Sequence, residues 1–120
     1  MLSLLRGLLP FLKTSPVVLR NERSPGNLRH LSARYSSDGD LVIEGQDLGD
    51  AVRTAFGYQE YEWVWTIART ELPKLAEALG SGSNPLSALG RRFSGPAAAG
   101  LGEFLDDQRI VCTKWSRVGD

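Results

Sequence analysis

Eight consecutive residues, EYEWVWTI at positions 60–67, constrain the fold more than any other stretch of this chain. Successive side chains of a β-strand point to opposite faces, so the alternation of carboxylates with aromatic rings predicts a strand with a dry and a wet face. The dry face comprises Tyr61, Trp63, Trp65 and Ile67. Because aromatic side chains contribute most when buried, we expect this face in the core and Glu60 and Glu62 in water. A groove in which the two indoles grip a ligand is the alternative.

A hairpin precedes this strand. Two runs of strand type, residues 28–35 and 40–44, flank SSDGD, and Asp-Gly favours the positive φ angles of a tight reversal. The segment QDLGDAVRTAFG then predicts a short helix, because Leu48, Val52 and Phe56 recur every fourth residue. Asp47 or Asp50 is the expected N-cap of this helix, and Gly57 its end.

Three helices and a last strand follow residues 58–68. Helices are predicted from Thr70 to Gly80, over 84–93 and over 94–108, and a strand over 110–116. The order β-β-α-β-α-α-α-β lacks the alternation of a doubly wound fold. It predicts an α+β domain, with helices packed on one face of a small, mainly antiparallel sheet. We expect the last strand beside the third, with Val111 and Trp115 in the aromatic core.

The first 26 residues differ in composition from the rest of the 120-residue chain. They are rich in leucine, and Arg6 and Pro10 interrupt the apolar run, which argues against a signal peptide and a membrane span. A basic, acid-poor transit peptide is a looser match. We expect a peripheral segment, with a helix over residues 2–9 or disorder, and a single domain over 27–120.

Residue types suited to catalysis are few. His30 is the only histidine, and Cys112, the only cysteine, lies in a predicted strand where a free thiol is usually a small core residue. DGD at 38–40 resembles a fragment of a calcium-binding loop, but its role in a turn explains it. GSGSNP lacks the Lys-Ser/Thr that ends a phosphate-binding loop. We therefore expect no catalytic residues, no metal and no cofactor. A single cysteine also fits a reducing cytoplasm.

Charge is unevenly distributed although the formal net charge is zero. Residues 1–35 contain six Arg or Lys and one acid, whereas residues 36–72 contain eight acids and two arginines. One hypothesis is an acidic surface that binds a basic partner, as an immunity protein or antitoxin covers a nuclease. Its candidate residues are Asp38, Asp40, Glu44, Glu60 and Glu62. The alternative, which we favour, is that the two regions pair with each other inside the sheet.

A second functional hypothesis is a small-ligand site or weak enzyme near the aromatic strand. Its candidate residues are Gln46, Asp47, Trp115 and Arg117, and Arg117 could bind a carboxylate or phosphate bidentately. Alternatively, Arg117 pairs with Asp47 or Asp50 and ties the C-terminus to the sheet. Arg91-Arg92 is too small a basic patch to predict nucleic-acid binding, and the sequence predicts neither membrane insertion nor an oligomeric state.

Three motifs together, LVIEGQDLGDAV, EYEWVWTI and KWSRVGD, resemble a group of small hypothetical proteins of actinobacteria. The resemblance extends from about residue 30 to the end of the chain and covers EGQDLG, EYEW and the terminal WSRVGD. It implies a bacterial cytoplasmic domain and the same order of elements. It implies no activity and no catalytic residue.

Overall fold

The computed structural model describes residues 16–80 and 84–119, which form a five-stranded sheet with the strands in sequence order. Every strand pairs antiparallel with its neighbour. The strands are β1 (Val17–Ser24), β2 (Asn27–Tyr35), β3 (Leu41–Gly49), β4 (Glu60–Ile67) and β5 (Thr113–Gly119). The predicted α+β class, the antiparallel sheet and the place of the last strand beside EYEWVWTI are confirmed.

In the part of the chain that the structure describes, four α-helices accompany the sheet: α1 (Asp50–Phe56), α2 (Leu72–Leu79), α3 (Pro85–Arg92) and α4 (Leu101–Asp107). Two 3-10 turns, Arg69–Glu71 and Gly95–Gly100, lead into α2 and α4, and the second occupies the start of the predicted helix 94–108. The buried side chains of α2–α4 join those of the strands in one core, as expected for helices on one face. No helix among the described residues has the length and apolarity needed to span a membrane.

The N-terminal boundary of the fold differs from our expectation. We expected the domain to begin near Asn27, but β1 already pairs with β2 and buries Leu19 to 2% exposure. The signal for β1 lies in the sequence: VVL has strand character, and Pro25-Gly26 forms the two-residue turn between Ser24 and Asn27. The predicted helix over residues 2–9 lies outside the described residues.

The helix after the hairpin is shorter than predicted. Gln46, Asp47 and Leu48 continue β3 and pair with both β2 and β4, so sheet pairing outweighs the helical spacing of the apolar residues. Helix α1 begins only after Gly49, so neither Asp47 nor Asp50 is its N-cap, and Asn27 Oδ1 of β2 instead accepts the Ala51 N–H at 2.9 Å. Gly49 has φ 115°, and a Cβ there would collide with the carbonyl of Gly26, so the transition requires glycine.

The aromatic side of β4 faces the core, as predicted. Ile67 is fully buried, and Trp65 and Trp63 are half-buried and pack against the core cluster.

The expectation for the last strand was wrong in its register. Trp115 pairs with Val64 on the other side of the sheet and is 52% exposed, and Val111 precedes β5 and is 66% exposed.

Candidate functional site

One side of the sheet faces away from the core formed with α2–α4. We call it the open face. Strand register places on it alternate side chains of β2 to β5, and none of these side chains belongs to the core cluster. Its principal members are His30, Ser32, Arg34, Val42, Glu44, Gln46, Glu60, Glu62, Val64, Trp115 and Arg117.

The predicted acidic residues fall into two groups. Glu44, Glu60 and Glu62 project from neighbouring strands on the open face. Asp38 and Asp40 lie in the turn between β2 and β3, where the backbone N–H of Arg69 donates to Asp40 Oδ1 at 2.9 Å.

Ion pairs balance much of the negative charge of the open face. Arg34 Nε donates to Glu44 Oε1 at 2.9 Å, and Arg117 Nη2 donates to Glu62 Oε1 at 2.7 Å. Gln46 Nε2 donates to Glu60 Oε2 at 3.0 Å. The hypothesis that basic and acidic regions of the chain pair inside the sheet is therefore correct for Arg34 and Glu44, and also for the Arg29–Asp47 pair at 3.3 Å on the opposite side.

Arg117 changes the pKa of one carboxyl group on the open face, that of Glu62. Its two hydrogen bonds, from Nη2 and Nε to Glu62 Oε1, are the main cause that lowers the pKa of Glu62 below its ordinary value. The same contact raises the pKa of Arg117. Glu62 is consequently ionised across the neutral range, and a permanently charged carboxylate is suited to holding a cation rather than to donating a proton.

The structure brings together three of the four residues predicted to bind a ligand. Gln46, Trp115 and Arg117 lie on the open face. Asp47 lies on the opposite side, because adjacent residues of a strand face opposite ways. Arg117 does tie β5 to the sheet, but it binds Glu62 rather than Asp47 or Asp50, so the predicted pairing was wrong.

A shallow depression of about 370 Å³ occupies the centre of the open face, across β2 to β5. Trp115 forms one wall, and its side chain is the most exposed of the three tryptophans. The carboxylates of Glu44 and Glu62 contribute to the lining, and none of the described residues that line it is Lys or Arg. The depression therefore combines an aromatic surface with two carboxylates.

Sequence analysis missed the contribution of β2 to this depression. His30 lies directly opposite Gln46 in the register, and both His30 and Ser32 contribute to the lining. The sequence did indicate that these two side chains share a face, because His30 and Ser32 are two positions apart on one strand. The pairing register of β2 with β3, which places both side chains near Glu44, could not be predicted from the sequence, because it depends on how the hairpin closes.

Two further features bear on chemistry. Burial raises the pKa of the half-buried Cys112 thiol, which keeps it protonated and poorly nucleophilic, as expected for a small core residue. Within residues 16–80 and 84–119, no three His, Cys, Asp or Glu side chains converge as a metal site would require.

A second, aromatic surface lies on the core side of the sheet, beside α1. Phe56 of α1 stacks on Tyr61 with ring centroids 4.8 Å apart, and Tyr61 stacks on Trp63 at 5.2 Å. Lys114 Nζ lies 5.0 Å from the ring centroid of Trp65. Since the Tyr61 ring is stacked between Phe56 and Trp63, the row serves packing rather than ligand binding.

No protein-family model, no curated protein and no solved structure matches the chain.

Proposed function

We propose that this protein is a binding module whose open face contacts a basic partner protein, and that a cationic side chain of the partner enters the depression beside Trp115. One observation carries the proposal: Glu44 and Glu62 line the same depression as an exposed indole, and no Lys or Arg of the described residues lines it. A cation above an indole face and near carboxylates gains from both interactions.

The electrostatics of the depression support a cation as its occupant. Arg34 and Arg117 engage Glu44 and Glu62 without contributing to the lining of the depression. Both carboxylates are thereby held in place, and oxygen lone pairs beyond those used by the two arginines can accept further hydrogen bonds. This arrangement favours recognition of Lys or Arg over an anionic ligand.

Binding fits the described groups better than catalysis does. A general acid needs a carboxyl pKa near the working pH, whereas Arg117 holds the pKa of Glu62 below its ordinary value. A cysteine nucleophile needs a lowered pKa, whereas burial raises that of Cys112. The open face is therefore better suited to protein recognition than to proton transfer or nucleophilic attack.

An NMR titration tests the proposal. The probe is a blocked tri-arginine peptide added to ¹⁵N-labelled protein, with a tri-glutamate peptide as the opposite-charge control. We expect the tri-arginine peptide to shift the indole N–H of Trp115 and the β4 amides near Glu62, with weaker binding at higher salt. The variant Glu44→Gln/Glu62→Gln should bind about tenfold more weakly, since two charge-assisted contacts are lost.

The matched control is Asp106→Asn/Asp107→Asn, which removes the same amount of charge from exposed positions on or beside the last turn of α4. It should leave the affinity for tri-arginine unchanged. Equal weakening by both double variants would mean that only net charge attracts the peptide. Shifts confined to residues outside the open face would likewise contradict the proposal.

A small ligand is the second candidate occupant of the same depression. Its volume of about 370 Å³ lies in the range of ligand pockets, and His30, Ser32 and Gln46 offer hydrogen-bonding groups. A thermal-shift screen against metabolites separates the two functions. A stabilising metabolite whose effect disappears in Gln46→Ala would favour the small ligand, whereas no stabilisation by any compound would count against it.

A further inference from the structure

The two edges of the sheet are built differently. Edge strands expose unpaired N–H and C=O groups, and proteins usually protect them with bulges, prolines or covering elements. β1 has such protection: its register shifts between Val18 and Arg20, Pro25 follows it, and α3 and the 3-10 turn Gly95–Gly100 pack against it. Among the described residues, β1 is thus a blunted edge.

β5, at the other edge, has little of this protection. Its pairing with β4 runs without a register shift from Thr113 to Gly119, and residues 113–118 are all exposed. Within residues 16–80 and 84–119, no strand pairs with its outer side. It contains no proline, and its charged side chains alternate between the two faces rather than lining one. A seven-residue, regular and uncovered strand is a template for a further strand.

We propose that β5 pairs antiparallel with β5 of a second copy of this chain, about a two-fold axis at Ser116. Ser116 is the midpoint of Thr113–Gly119, so this register pairs the whole strand. In an antiparallel pair, side chains directly opposite each other lie on the same face of the sheet. A two-fold axis perpendicular to the sheet does not exchange its two faces, so the open face of one copy adjoins the open face of the other. The sheets of two copies then join into one, and the open face continues from one copy to the other.

The side chains of β5 are self-complementary in this register. Trp115 lies opposite Arg117 of the second copy, and both project from the open face. Arg117 keeps 53% of its side-chain surface exposed while it binds Glu62, so its guanidinium can also lie along an indole. On the other face, Lys114 lies opposite Val118 of the second copy, and its ammonium stays over Trp65.

Other two-fold registers are less favourable. An axis at Arg117 or at Lys114 sets two like charges directly opposite each other, which destabilises a cross-strand pair. An axis at Trp115 leaves Val118 and Gly119 without partners. The Ser116 register avoids like charges, places the exposed indole against a cation and covers part of Val118, which is exposed in the single chain.

A cysteine cross-link tests both the pairing and its register. Ser116 would lie opposite its own copy, with Cα atoms about 4.5–5.5 Å apart, which a disulfide can span. In a Cys112→Ala background, we expect Ser116→Cys to form a covalent dimer in a mild glutathione buffer. Thr113→Cys, also at an exposed position of the same strand, is the matched control, because its copies would lie about 20 Å apart and should cross-link at least tenfold more slowly.

Sedimentation of the unmodified protein over a range of concentrations gives the independent readout, with a monomer–dimer equilibrium expected. A monomer at every concentration, or equal cross-linking of Ser116→Cys and Thr113→Cys, would overturn the proposal. That result would leave the edge to a strand of another protein or to none. The dimer sets Arg117 of the second copy against the same indole that the proposed function offers to a partner's cation, so the peptide titration is made at protein concentrations at which sedimentation shows a monomer. Under that condition either proposal can fail without the other.

Discussion

Gly45 and Trp63 form the closest side-chain approach to a glycine in the sheet. They are direct cross-strand partners of β3 and β4, and the indole of Trp63 lies over the space that a Cβ of residue 45 would occupy, with Cη2 2.5 Å from that position. Gly45→Ala must therefore displace the indole. Overpacking of this kind costs about 1–3 kcal/mol in the free energy of unfolding. For a domain of this size, that lowers Tm by roughly 4–20 °C.

A double-mutant cycle, measured by urea unfolding, isolates the contact. Trp63→Ala alone should destabilise the protein through lost packing, but adding Gly45→Ala to it should cost under about 0.5 kcal/mol, because no ring remains to collide. Gly100→Ala is the control, since its φ is −89° and no atom lies near its Cβ position. An undiminished cost of Gly45→Ala in the Trp63→Ala background would refute this account of the glycine.

Two further predictions concern a helix cap and an ion pair. Asn84→Ala should lower the free energy of unfolding by about 1 kcal/mol, because Asn84 is the N-cap of α3 and its Oδ1 accepts the Ser87 N–H at 3.1 Å. Thermal unfolding measures this loss, and an unchanged Tm would contradict the prediction. The folded state lowers the pKa of Glu62, so its stabilising contribution is present above the unfolded-state pKa and is lost as pH falls through the folded-state pKa. The stability difference between the unmodified protein and Glu62→Gln should therefore be constant near neutral pH and shrink below about pH 4, and a difference that grows in acid would contradict this sign.

Local patterns in the sequence were sufficient for much of the fold. The alternation in EYEWVWTI assigned a strand and its core face, and Asp-Gly marked the β2–β3 hairpin. Asn84-Pro85 marked the start of α3. Each signal depends on residues only a few positions apart, because turns, caps and the period of two are set by neighbouring backbone geometry.

The candidate site was predictable only in part, because it depends on register. The sequence grouped Gln46, Asp47, Trp115 and Arg117, but pairing of β3 with β4 places Asp47 on the side opposite the other three. Likewise, no local feature indicated that Arg117 would bind Glu62, which lies 55 positions away along the chain. Such contacts follow from which strands pair and at what offset.

The sequence by itself determined the type of most elements and which side of each strand is apolar, since both follow from local conformational preference and the burial of apolar surface. The tertiary structure alone decided that Gln46–Leu48 extend a strand instead of starting a helix, and that the depression of the open face lies between β2 and β5. The physical reason is that hydrogen bonds between strands and burial against distant residues outweigh local preference wherever the two disagree.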